Sequence, residues 1–132
     1  MYKVNKKFLT NSYHILDLKL CSVRLINNCK FPWIILIPNR KNINDITELT
    51  LSDQILLIKE IVFCSKRMKK IFKTSKLNVE KIGNIVSQLH IHIIVRYKKD
   101  SSWPLPVWVV KGKPYSVKAL KDIVEKIMVA LK

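Results

Sequence analysis

The residues of this chain best suited to chemistry are Gln88, His90 and His92, set at every second position in Gln88-Leu89-His90-Ile91-His92-Ile93-Ile94. In an extended strand, side chains at i and i+2 share a face. The spacing therefore aligns an amide and two imidazoles on one side. Leu89, Ile91 and Ile93 turn to the other, toward a helix-covered core. Three readings of such a row stay open. The histidines can be surface residues with no task. They can give two ligands to zinc or iron, but a third would have to come from His14, a cysteine or a carboxylate, and none stands at a telling spacing. Or one imidazole can act as a nucleophile in phosphoryl chemistry, which needs no metal ligand set.

The elements that must position this row follow from the apolar patterning. Apolar runs over Tyr13 to Leu18, Leu20 to Ile26 and Trp33 to Ile37 predict three strands, with Asn27-Asn28-Cys29-Lys30 as the turn of an antiparallel meander. Thr50-Leu51-Ser52-Asp53 sets a hydroxyl three residues before a carboxylate, a helix-start signal. Leu51, Ile55, Ile58, Val62, Met68 and Phe72 then recur at helical spacing and predict a long amphipathic helix over 51–73. Lys66, Arg67, Lys69, Lys70 and Lys73 suit its C-terminal end electrostatically. Two more strands, over 76–82 and 88–97, join around Gly83-Asn84. The prolines of Ser101-Ser102-Trp103-Pro104-Leu105-Pro106-Val107-Trp108 exclude regular structure there. A last helix begins near Ser116, with Leu120, Ile123, Ile127 and Leu131 on one face. The order predicts an α+β fold, a largely antiparallel sheet with one long helix and a C-terminal helix. The chain reads as one domain over 1–132, with a core over about 13–108 and the final helix over about 116–131.

Composition narrows the class. The 132 residues are 48% hydrophobic, enough for a single buried core. No apolar run approaches the ~20 residues that span a bilayer, and the N-terminal residues lack the unbroken apolar stretch of a secretion signal. The cytoplasm is the expected location, and no membrane partner is expected. Cys21, Cys29 and Cys64 never form a C-x-x-C pair, so reduced thiols are expected rather than a disulfide framework or zinc finger. Twenty-five Lys and Arg against nine Asp and Glu give a net charge of +16. That field attracts polyanions, yet a sequence so rich in Lys, Ile and Asn also carries such charge through composition alone.

The stretch Lys76-Leu77-Asn78-Val79, Gly83-Asn84 and Gln88 through Arg96 resembles the signature of the histidine triad family of nucleotide hydrolases and transferases. That signature alternates histidines with apolar residues after a Gly-polar turn. Phe31-Pro32-Trp33 through Pro38, Asp53-Gln54 and Trp103-Pro104-Leu105-Pro106-Val107-Trp108 extend the resemblance to a bacterial branch whose motif begins with Gln. The resemblance runs from about residue 13 to residue 108.

It implies that His90, the middle motif position, attacks the α-phosphorus of a nucleotide, forming a nucleotidyl-histidine that water releases. His92 matches the histidine that contacts phosphate oxygens. Gln88 stands where a histidine opens the full signature, and an amide cannot deliver a proton at neutral pH. A preference for dinucleoside polyphosphates, such as diadenosine tetraphosphate, over phosphoramidates is expected in consequence. Gly83 and Asn84 match the phosphate-binding turn, and Asn78 an asparagine near the same phosphates. Asn27 and Asn28 occupy the region where the family places a ribose-binding carboxylate, with Asn28 the expected contact. Trp103 and Trp108 lie on a segment that the family places near the active site or a dimer interface. His14 is expected to be structural. The resemblance implies a homodimer. The sequence itself requires no cofactor, and a divalent cation such as magnesium is expected, if at all, with the nucleotide substrate rather than in a protein site. The competing reading is a nucleotide- or nucleic-acid-binding module with little or no turnover, in which the positive charge carries the function.

Overall fold

The computed structural model describes residues 2–132. Five strands form a sheet that is antiparallel throughout: β1 (Ser12–Asp17), β2 (Cys21–Ile26), β3 (Trp33–Pro38), β4 (Lys76–Glu80) and β5 (Ile91–Arg96), in the order β1-β2-β3-β5-β4. Among the described residues three α-helices accompany it: α1 (Lys6–Asn11), α2 (Leu51–Phe72) and α3 (Val117–Leu131). The expected α+β class with a long central helix and a C-terminal helix is the observed one.

Strand alternation divides the molecule into two layers. Ile34, Leu36, Ile91, Ile93 and Val95 pack with Leu57, Cys64 and Met68 of α2 and with Ile127 and Leu131 of α3. Trp33, Ile35, Ile37 and Ile94 point the other way and form a second apolar cluster with Phe8, Phe31 and Val107. The unbroken apolar run of β5 has its reason here. Ile93 faces the helices and Ile94 faces the second cluster, so neither face is left to water.

Helix α2 starts where the sequence signals it. The Thr50 side chain accepts from the Asp53 N–H, and Lys73 closes the helix in the left-handed region at φ 51°. Its buried face follows the expected stripe only toward the C-terminal end, where Met68 is buried and Phe72 packs against the core. Leu57, Glu60, Cys64 and Met68 are buried, whereas Leu51, Ile55, Ile58 and Val62 are 72, 50, 59 and 44% exposed. Apolar residues surround this helix on most sides, so periodicity alone marks two stripes. Tertiary hydrogen bonding selects between them: the Glu60 carboxylate accepts from the Leu20 and Cys21 N–H groups, both at 2.8 Å, and pins that face to the β1–β2 turn.

Two elements differ at the site. Helix α1 was not expected, because six residues are too few to show a helical period. Asn5 caps it by accepting from the Lys7 N–H. The expected strand over 88–97 is Ile91–Arg96 instead, so Gln88, Leu89 and His90 form an irregular lead-in outside the ladder.

Candidate active site

His92 sits opposite Ile35 in the β3–β5 ladder, on the face away from α2 and α3. With His90 it lines an open cavity of about 510 Å³, walled in part by Trp33, Trp108 and Phe8. Both imidazoles are buried. Their ring centroids are 4.8 Å apart in an edge-on arrangement. Phe8 of α1 meets His90 at 4.6 Å, and Trp108 meets His92 at 5.2 Å.

Each ring is held by a neighbour that has a single hydrogen-bonding role. His90 Nδ1 lies 2.7 Å from the Gln88 carbonyl oxygen, which only accepts. Nδ1 therefore carries the proton, and His90 Nε2 keeps its lone pair. His92 Nδ1 lies 3.0 Å from Trp33 Nε1, which only donates. Nδ1 of His92 is thus the acceptor, and its Nε2 carries the proton. Burial lowers the His90 pKa, with the Lys81 charge adding to the effect against the Gln88 carbonyl bond. Burial, and then His90 beside it, lowers that of His92 to about 3. At neutral pH the cavity holds one imidazole that offers a lone pair and one that offers an N–H.

A buried cation fixes the tryptophan wall. Arg96 is 1% exposed. Its Nε and Nη2 donate to Asp100 at 2.7 and 3.0 Å, Nη1 to Asn78 Oδ1 at 2.6 Å, and Nη2 to the Leu105 carbonyl at 2.8 Å. The guanidinium also lies over Phe31 and Trp103, 5.5 and 5.6 Å from the ring centroids. The proline-rich segment is thereby anchored at Asp100, just before it, and at Leu105 within it, and Trp108 reaches back to Trp33, 5.0 Å away.

The residues singled out from the sequence divide accordingly. His90, His92, Gly83 and Asn84 meet at the cavity. Gly83 adopts φ +71°, a conformation that side-chain-bearing residues rarely take. Gln88 does not line the cavity. Its side-chain Oε1 accepts from the Asn5 N–H and its Nε2 donates to the Lys3 carbonyl, both at 2.8 Å. Asn78 is engaged by Arg96. Asn27 Oδ1 accepts from the Tyr115 N–H and Asn28 Oδ1 from the Lys30 N–H, so both amides tie down the segment around 111–115 and its own turn. Trp103 packs on Arg96 and its N–H donates to Asp100. None of these last four lines the cavity. His14 is exposed and pairs with Asp17 at 3.0 Å. Missing from the sequence reading is the α1 wall, Lys7, Phe8 and Asn11. The Lys7 and Asn11 pair has the i, i+4 spacing of one helix face, which was the available signal. Among the described residues, no group of three or more His, Cys, Asp and Glu is placed to hold a metal ion, and no helix is long and apolar enough to cross a membrane.

Fold and site together define an α+β protein with a histidine pair at the floor of an open cavity. The family model for the HIT domain matches residues 9–99. A histidine triad protein from Sinorhizobium meliloti 1021 is 35% identical, with a TM-score of 0.94 over 98% of this chain and 97% of that one. One from Marinobacter aquaeolei VT8 is 34% identical, with a TM-score of 0.96 over 99% and 96%. The diadenosine triphosphate hydrolase of Plasmodium falciparum shares the fold at 18% identity, with a TM-score of 0.60 over 99% of this chain and 78% of that one. No curated protein sequence matches the chain. The chain belongs to the histidine triad (HIT) family, whose members bind nucleotides and include hydrolases.

Proposed function

We propose that this protein hydrolyses nucleotidyl phosphoanhydrides at the α-phosphate through a covalent intermediate on His90. The observation that carries the reading is the pair of opposite tautomers in one cavity. His90 Nε2 attacks the α-phosphorus. The bond to the bridging oxygen breaks, and its electron pair leaves with the remaining phosphates. Water then displaces His90 from phosphorus, its oxygen staying on the nucleoside monophosphate and its lost proton passing to solvent. His92 Nε2–H donates to a non-bridging oxygen, where charge concentrates as the bond breaks. The Gly83-Asn84 turn, at the cavity rim, supplies further phosphate contacts.

The substrate class follows from the leaving group. A polyphosphate whose terminal pKa is roughly 6 departs without protonation. An amine does not, and both imidazoles here are neutral at pH 7. A dinucleoside polyphosphate such as diadenosine tetraphosphate suits the site, and a magnesium ion enters with it as part of the substrate. The distant likeness to a diadenosine triphosphate hydrolase points the same way.

Incubation with diadenosine tetraphosphate should release adenosine monophosphate, with at least a ~1000-fold loss in His90→Ala while nucleotide binding persists. Acid quench of the wild type should trap nucleotide on the protein. Equal turnover in the two proteins would remove His90 from the nucleophile's role.

A further inference from the structure

The side-chain amide of Gln88 behaves toward residues 3–5 as a strand neighbour's backbone would. It accepts from the Asn5 N–H and donates to the Lys3 carbonyl. The segment it grips goes on into α1, whose Phe8 is 3% exposed and rests its ring on His90. The far end is tied as well. Ser12 Oγ donates to the Phe8 carbonyl and accepts from Arg24 Nε, which is itself buried. Residues 3–12 thus form a strap fastened at both ends and in the middle, and it makes one wall of the cavity. Lys7 and Asn11, one helical turn apart, are the polar groups it presents there.

The charge of the cavity makes Lys7 distinctive. Among the described residues that line it, Lys7 alone is a Lys or Arg, and no Asp or Glu is present. Lys81 stands nearby but is paired with Asp45 at 2.7 Å. A polyphosphate held at His90 carries several negative charges, and the neutral imidazoles leave those to be offset by the strap.

We propose that Gln88 is a positioning residue that fastens the N-terminal strap, and that Lys7 on this strap is a specificity-determining residue that binds the polyphosphate part of the leaving group. This rests on the hydrolase reading given above. It gives the glutamine of the motif a task that a proton donor would not perform. It also places discrimination between highly charged and weakly charged leaving groups on a segment outside the motif.

The test compares diadenosine tetraphosphate with the p-nitrophenyl ester of adenosine monophosphate, whose leaving group carries no phosphate. Lys7→Met should raise KM for the tetraphosphate about tenfold and lower its kcat/KM at least fivefold more than that of the ester, with Lys7→Arg restoring most of the loss. Gln88→Leu should shift the tetraphosphate KM in the same direction and abolish hydrogen-exchange protection of the Asn5 amide. Equal effects of Lys7→Met on both substrates would overturn the role of Lys7. A fall in kcat for both substrates with KM unmoved in Gln88→Leu, or Asn5 protection retained there, would overturn the positioning role. If the wild type turns over neither substrate, the hydrolase reading fails by itself, and calorimetric titration decides on the strap. Affinity for adenosine triphosphate falling more than that for adenosine monophosphate in Lys7→Met supports it, and equal changes overturn it.

Discussion

At the scale of single residues, the chemistry of the cavity turns on Trp33. An indole N–H can only donate, so it obliges His92 to accept at Nδ1 and to keep its proton on Nε2, where a phosphate oxygen would meet it. Trp33→Phe keeps the aromatic wall and removes the donor. The buried Nδ1 is then unpaired, at a cost of about 1–3 kcal/mol, and the ring is free to change tautomer. We expect a fall of roughly tenfold in kcat/KM, with the His92 nitrogen shifts in NMR moving from the Nε2–H pattern toward a mixture. A wild-type spectrum with the proton on Nδ1 would contradict the assignment. The depressed pKa of His90 has a kinetic consequence of definite sign. Its reactive form is the neutral ring, and burial favours that form. As pH falls, protonation is therefore delayed to below the ordinary histidine value of about 6.5. With the nitrophenyl ester, whose phosphodiester does not titrate in this range, kcat/KM should retain more than half its plateau at pH 6.5. A half-maximum above that pH would show His90 to be ordinarily solvated.

At the scale of elements, the site is held by loops that the sheet anchors through one buried guanidinium. Arg96 and Asp100 are 1% and 4% exposed in their side chains and form a bidentate pair. Removing one partner of such a pair strands a charge and costs about 3–5 kcal/mol. Arg96→Met should lower thermal stability accordingly, and Trp108 should lose its contact with His92. A red shift and weaker quenching of tryptophan fluorescence would report the loss, and a stable variant with unchanged fluorescence would show that the loop holds itself. The strands and long helices were legible in the sequence because each has a period and a terminal signal, as with Thr50 ahead of α2. Which stripe of α2 is buried was not legible, since that depends on Glu60 finding the Leu20 and Cys21 amides 40 and 39 residues away. The site divides in the same way. Alternation brought out His90 and His92. It could not tell an asparagine that meets ligand from one that fastens a loop, which is what Asn27, Asn28 and Asn78 do here. Nor could it show α1, whose six residues carry only the single i, i+4 pair of Lys7 and Asn11, too little to mark a helical period.

At the scale of the whole molecule, the net charge of +16 has two explanations that make different demands. If it is only composition, the reaction at the cavity is indifferent to lysines elsewhere. If it steers substrate, then distant lysines act through the summed field, and their effect must fade as salt shortens the screening length from about 30 Å at 0.01 M to about 3 Å at 1 M. The exposed Lys66, Lys69 and Lys70 allow a clean comparison, because α2 lies on the opposite face of the sheet from the cavity. They can touch no bound nucleotide. Charge steering acts on encounter, so it belongs in kcat/KM and not in kcat. For wild type, kcat/KM on diadenosine tetraphosphate should fall several-fold between 0.02 and 0.5 M salt, on the order expected for electrostatically assisted association. In a variant with Lys66, Lys69 and Lys70 changed to Gln, the slope should be shallower and kcat unmoved. Coincident slopes would show that the excess of lysine has no part in capture, leaving the local charge of the strap as the electrostatic element of the site.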